Sequence, residues 1–129
     1  MTTELWILVF VGMLAFLLAI LSGLAKVINF NLLTMENYPR DDLPALSGWG
    51  GRAERSLQNL FESLPLFTIL ILAAHVTGAN NDMTLFGAEL FFVGRVLHPV
   101  FYIFGPYGLR TLAWAVATTG MVMIGLQLA

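Results

Sequence analysis

The chain has no cysteine. Disulfides are therefore excluded, and so are cysteine nucleophiles and thiolate metal sites. Charge is also scarce: 11% of the residues are charged, where soluble domains carry about 25%. The net charge of −2 is too small to argue for nucleic acid or any strongly charged partner. No stretch shows the alternating pattern of a barrel strand, and there is no internal repeat or low-complexity tract. What is abundant is apolar, at 58% of the residues. A chain of 129 residues is read as one domain, 1–129. In water its surface would lack polar groups to cover it, so a bilayer is the expected solvent.

A bilayer-crossing helix needs about 20 apolar residues. Four such spans can be read, at about 5–28, 55–77, 83–104 and 109–128. The first has no basic residue ahead of it and is longer than the apolar core of a secretory signal, so it is read as a retained helix. The connection from Asn29 to Gly51 is long, polar and rich in breakers. The connections GANND (Gly78 to Asp82) and GPYG (Gly105 to Gly108) are short. Short turns imply antiparallel neighbours. The expected fold is all-α: an integral membrane up-down four-helix bundle.

Basic residues set the orientation. Lys26, Arg40, Arg52 and Arg55 flank the first connection and Arg110 flanks the third, while the second connection and both ends of the chain have none. By the positive-inside rule the first and third connections are cytoplasmic.

The stretch RAERSLQNLFE, residues 52–62, then raises a question. Charged groups are expensive in a bilayer, at least ~2.5 kcal/mol each near its centre. Each helical residue advances about 100°. Arg52, Arg55, Asn59 and Glu62 are spaced 3, 4 and 3 and form one stripe, while Glu54 points roughly the other way. In the third span Arg95, His98 and Tyr102 form a second stripe, and Arg110 follows the next turn. Connectivity brings the two stripes near one membrane face. The bland readings are a structural Arg55–Glu62 ion pair, a packed core His98, and interfacial Arg52 and Glu54 that snorkel. The functional reading is a ligand site. Arginine offers a fork matched to carboxylates, glutamate suits an ammonium, and asparagine both donates to and accepts from an amide. A small peptide zwitterion has all three features.

These residues also resemble a known family. Arg55, Asn59 and Glu62, followed by Pro65-Leu66-Phe67, match R-x-x-x-N-x-x-E with P-L-F after it. Arg95, His98 and Tyr102 match R-x-x-H-x-x-x-Y, with Arg110 beyond the turn. Together with the length, the four spans and the long first connection, they resemble the MAPEG family, the membrane-associated proteins in eicosanoid and glutathione metabolism. The resemblance implies a homotrimer with glutathione bound between subunits, in clefts open to the cytoplasm. Arg55, Asn59 and Glu62 would hold the glutathione backbone. Arg95, His98 and Tyr102 would line the same cleft. Arg110 would activate the thiol, with Tyr102 as its catalytic partner, and Lys26 would reach in from the neighbouring subunit. Ser63 stands where some eicosanoid enzymes have a tyrosine, and His98 where one branch has a second one. The first connection is similar to that of bacterial members, which implies a bacterial inner membrane.

The implied reaction needs no metal or redox cofactor. Glutathione, as a thiolate, would be conjugated to an apolar electrophile arriving from the lipid, or would reduce a lipid hydroperoxide. Two other classes remain. One is a small multidrug transporter, which typically carries an acid inside its first span; residues 5–25 contain none. The other is a non-catalytic lipid-binding or scaffold protein. Among the remaining residues, Glu89 is expected to face a different neighbour from Arg95. Trp6, Tyr38, Trp49 and His75 are expected at the interface, and Trp114 to be lipid-facing or packed. Pro65 and Pro99 are expected to bend their helices.

Overall fold

The computed structural model describes residues 1–30 and 43–129. Arg40 and Tyr38 lie outside the described residues. The described chain forms four helices: α1 (Thr3–Phe30), α2 (Gly48–Thr77), α3 (Asp82–Phe104) and α4 (Leu109–Gln127). No strand occurs among the described residues. Each helix is long and apolar enough to cross a membrane. The protein is an integral, multi-pass membrane protein folded as an up-down four-helix bundle. One end of the bundle carries the end of α1, the start of α2 and the α3–α4 turn. The other carries the start of α1, the α2–α3 turn and the end of α4.

The observed helices agree with the expected spans except at the start of α2. That helix begins at Gly48 rather than near 55, about two turns early. The sequence SGWGG reads as a breaker, yet Gly50 and Gly51 lie inside the helix. Their role is close packing. A Cβ on Gly50 would stand 2.5 Å from the Ala25 Cβ of α1, and one on Gly51 would stand 2.2 Å from the Leu46 carbonyl oxygen. Glycine lets the start of α2 press against α1 and against the strand of chain that leads into it. Both α2 and α3 run on through their prolines, Pro65 and Pro99.

The short turns are built as their residues suggest. Gly78 ends α2 in the left-handed conformation, at φ 71°, and its N–H reaches back to the Ala74 and His75 carbonyls. Asn81 then caps α3. Its side chain accepts from the N–H groups of Met83 and Thr84, while the Thr84 hydroxyl oxygen accepts from the Asn81 N–H. This reciprocal box satisfies donors that a helix start would otherwise leave open.

The core centres on Phe67 and Phe91, stacked at 3.8 Å between centroids. Val11, Leu60, Ile71, Ala88 and Ile124 close around them. At the end that carries the α2–α3 turn, the buried Glu4 carboxylate accepts from Asn80 Nδ2 and Thr84 Oγ1, both at 3.1 Å. Asn81 Nδ2 donates to Gln127 Oε1 at 3.0 Å. These bonds tie α1, the α2–α3 turn, α3 and α4 together at that end. Glu89 lies on the exposed face of α3, turned away from the buried Arg95.

Helices α3 and α4 meet along a seam of small residues. A Cβ on Gly94 would stand 2.5 Å from the Ala113 carbonyl oxygen, and one on Gly120 would stand 2.3 Å from that of Gly87. Small residues let membrane helices approach closely, which gains packing where lipid supplies no hydrophobic drive. Gly94→Ala should therefore lower the melting temperature in detergent by about 5 °C or more. Gly12 meets nothing within 4 Å, so Gly12→Ala should hold or slightly raise it. Equal effects of the two variants would show that the seam has slack and does not fix the site.

Candidate functional site

The end of the bundle that carries the α3–α4 turn holds an open polar cavity of about 360 Å³. Helix α2 contributes Arg55, Asn59 and Glu62, and α3 contributes His98 and Tyr102. Helix α4 contributes Arg110 from its first turn. The two polar stripes, far apart in the chain, thus meet in one place. The 3-4-3 spacing on α2 puts its three polar groups on one face. The short Gly105–Gly108 connection folds α4 back so that Arg110 returns to the Tyr102 level of α3.

Tyr102 is the hub. Its hydroxyl oxygen accepts from Arg55 Nε at 2.8 Å. Its ring face lies 4.2 Å from the Arg110 guanidinium carbon, a cation–π contact. His98 stacks with Tyr102 at 6.0 Å between centroids and is itself buried. Two arginines are therefore fixed around one tyrosine, and the tyrosine keeps its own proton to donate.

Arg95 does not line this cavity. It is 2% exposed and sits one layer below, with Nη1 donating to Asn59 Oδ1 at 2.7 Å. Its guanidinium carbon lies 5.3 Å from the Phe91 ring centroid. Nε and Nη2 have no hydrogen-bond partner. An arginine side chain can only donate, so this bond fixes the Asn59 amide with its oxygen inward and its NH₂ free to face the cavity. Glu62 is exposed and makes no ion pair with Arg55; among the described residues the ion pair is Lys26–Glu54. The first bland reading, a structural Arg55–Glu62 pair, is thus not what forms. Lys26 is held by Glu54 at a separate cavity beside Phe30 and Leu46, and within one chain it does not reach the Arg55 cavity.

Three lining residues were missed from the sequence: Gln58, Thr111 and Trp114. Gln58 adjoins Asn59 but breaks the 3-4-3 stripe. Thr111 and Trp114 are the next turn of α4 beyond Arg110, and the i, i+4 step from Arg110 to Trp114 was the available signal. Trp114, expected to be lipid-facing or packed, is 44% exposed and also forms a wall of the cavity.

The cavity holds two guanidinium groups, Arg55 and Arg110, against one carboxylate, Glu62. That set fits a ligand with at least one anionic group and one cationic group. Among the described residues no cluster of His, Asp and Glu could hold a metal ion.

The family model for the MAPEG family matches residues 3–129, essentially the whole chain. The chain belongs to that family. No curated protein and no solved structure matches.

Proposed function

We propose that this member of the MAPEG family is a membrane glutathione transferase or lipid hydroperoxide peroxidase, with glutathione held as thiol co-substrate in the Arg55–Arg110 cavity. The observation that carries the reading is the Asn59 amide, whose oxygen accepts from Arg95 Nη1 while the residue lines the cavity together with Arg55 and Glu62. Arg55 would take a glutathione carboxylate, Glu62 the ammonium, and the Asn59 NH₂ a peptide carbonyl. Tyr102 and Arg110 would face the sulfur, with His98 packing behind Tyr102. In conjugation, the thiolate sulfur bonds to an electrophilic carbon of an apolar second substrate. Either the bond to a leaving group breaks and that group departs with its electron pair, or the π pair of an activated double bond moves to the neighbouring carbon, which takes up the proton the thiol lost. In reduction, two glutathione thiols become one disulfide while a lipid hydroperoxide becomes an alcohol and water. Thermal-shift measurements on protein purified in detergent test the reading. Glutathione at millimolar concentration should raise the melting temperature, and S-methyl-glutathione should do so too, because the backbone contacts do not use the thiol. No shift with either compound would sink the assignment.

The reading includes a homotrimer. Glu62 lies near the middle of a 30-residue helix and is exposed on the single chain. A bare carboxylate there would face hydrocarbon, so a second copy is needed to cover it. Trimer clefts would also bring Lys26 of one chain near the cavity of another. The reading puts this end of the bundle on the cytoplasmic side of a bacterial inner membrane, and the basic residues near it support that orientation. A mass measurement corrected for bound detergent should give three chains; a monomer or an antiparallel dimer would rule the arrangement out.

A further inference from the structure

Glu89 takes no part in the polar cavity. It lies about 10 Å along α3 from Asp82, and its side chain is exposed on the single chain. Among the described residues it has no hydrogen-bond or ion-pair partner. A carboxylate at that depth is costly to leave facing lipid. No Lys or Arg of the described residues neutralises it. Lys26, Arg52, Arg55 and Arg110 stand at the opposite end of the bundle, and Arg95 is buried and bound to Asn59. Parallel copies of the chain would keep these levels, so those residues of a neighbouring subunit would not reach it either. His75 and the terminal amino group lie near the ends of their helices, shallower than Glu89.

The surroundings of Glu89 suit a cation from outside the chain. Thr84 donates to Glu4 at 3.1 Å, and the Phe10 ring lies 6.3 Å from that of Phe92. Helices α1 and α3 therefore run side by side in the same direction, and Glu89 falls at a level between Trp6 and Phe10. Trp6 stacks on Phe10 at 6.0 Å, so Trp6, Phe10 and Phe92 form a row of rings beside the carboxylate. Trp6 and Phe10 are each about half exposed. The i, i+3 and i, i+7 steps put Phe92 and Val96 on the same side of α3 as Glu89. Those two residues form the α3 wall of an open apolar groove of about 490 Å³. Its α1 wall begins at Phe10 and runs through Leu14 and Leu17 to Ile20, about 15 Å on the helix rise. We propose that this recess binds a cationic amphiphile, with a protonated or quaternary ammonium at Glu89 and an apolar tail in the α1–α3 groove. Aromatic faces attract such cations, and the carboxylate adds a full opposite charge. A dodecyl tail fills the length of the groove. The ligand is a net cation and not a zwitterionic phospholipid, because no Lys or Arg among the described residues stands at this end to take a phosphate. The recess lies at the other end of the bundle from the Arg55–Arg110 cavity and is independent of what that cavity binds.

Fluorescence from Trp6 tests this. The chain has three tryptophans, and replacing Trp49 and Trp114 with Phe leaves Trp6 as the sole fluorophore. The protein is held in dodecyl maltoside at mildly alkaline pH. The probe is a dodecyl-dimethylammonium with a nitroxide ring on its nitrogen, which quenches indole emission at short range. Quenching should saturate above the linear background of micelle partition. Dodecyltrimethylammonium should reverse it about tenfold more effectively than dodecyldimethylamine oxide, which has the same tail and a similar head but no net charge. Dodecylphosphocholine, which adds a phosphate to the same ammonium, should compete no better than the amine oxide. Glu89→Gln keeps the shape and removes the charge, so the cation and the amine oxide should then act alike. Linear quenching in the parent, or a preference for the cation that survives in Glu89→Gln, would overturn the site. Dodecylphosphocholine matching the cation would also overturn it and assign the recess to phospholipid. A fall in the assembled mass of Glu89→Gln would overturn it as well, by making Glu89 a contact between copies.

Discussion

Glu62→Gln is expected to weaken glutathione binding about thirtyfold or more while nearly sparing a glutathione analogue that lacks the amino group. Glu62 is the carboxylate of the cavity, facing the guanidinium groups of Arg55 and Arg110. It is not neutralised within the chain, because the ion pair among the described residues is Lys26–Glu54. Its charge is therefore available to an ammonium. Truncating one partner of a buried charge pair costs about 2–5 kcal/mol. The lower end applies here, since the cavity is open, and about 2 kcal/mol corresponds to roughly thirtyfold. Glutamine keeps the shape and one acceptor, so packing is preserved. The analogue brings no ammonium and has little to lose. Calorimetric titration of wild type and variant with both ligands gives four affinities. Equal weakening of the two ligands would make Glu62 a residue of the scaffold, and the ammonium would need another partner.

Most of this arrangement was legible in the sequence because membrane helices obey two simple constraints. Length and hydropathy set the spans, and a charge inside a span must find polar company. Arg55, Asn59 and Glu62 were placed on one face from spacing alone, and short turns then set them beside His98, Tyr102 and Arg110. Two features were not legible. The start of α2 was missed because Gly50 and Gly51 read as breakers, whereas they are packing positions whose reason lies in Ala25 and Leu46. Local propensity cannot see a close approach by another segment. Arg95 shares a stripe with Tyr102 but stands nearly two turns away, and that displacement puts it under Asn59 instead of in the polar cavity. Direction around a helix was readable; depth along it decided which compartment each residue joined. The wall made by Trp114 belongs to the same class, since an aromatic in an apolar run has no signature until its neighbours are known.

Arg110→Ala is expected to remove most thiolate formation in the bound complex, with a rate loss of about a hundredfold, while leaving glutathione affinity within about tenfold. A free thiol of pKa about 8.5 is mostly protonated at neutral pH, and the thiolate is the nucleophile. A guanidinium beside the sulfur favours the thiolate over the thiol, so its loss raises the thiol pKa. The site strengthens this in two ways. Arg110 is held over the Tyr102 ring, 4.2 Å from guanidinium carbon to centroid, so little entropy is lost when the sulfur arrives. It also opens α4, where the helix dipole favours an anion. Tyr102→Phe makes the useful contrast. It keeps the ring beneath Arg110 but removes the hydroxyl, which loses both the bond from Arg55 and one donor to the sulfur. A neutral hydrogen bond is worth about 1 kcal/mol, so the rate should fall roughly fivefold and the thiolate should persist. The measurement is ultraviolet thiolate absorbance of the complex against pH, for wild type and both variants. The titration midpoint should move up strongly in Arg110→Ala and slightly in Tyr102→Phe. An unchanged midpoint in Arg110→Ala would sink the assignment. Activation would then pass to Tyr102 acting with Arg55, because Arg95 is already bound to Asn59 in the layer below.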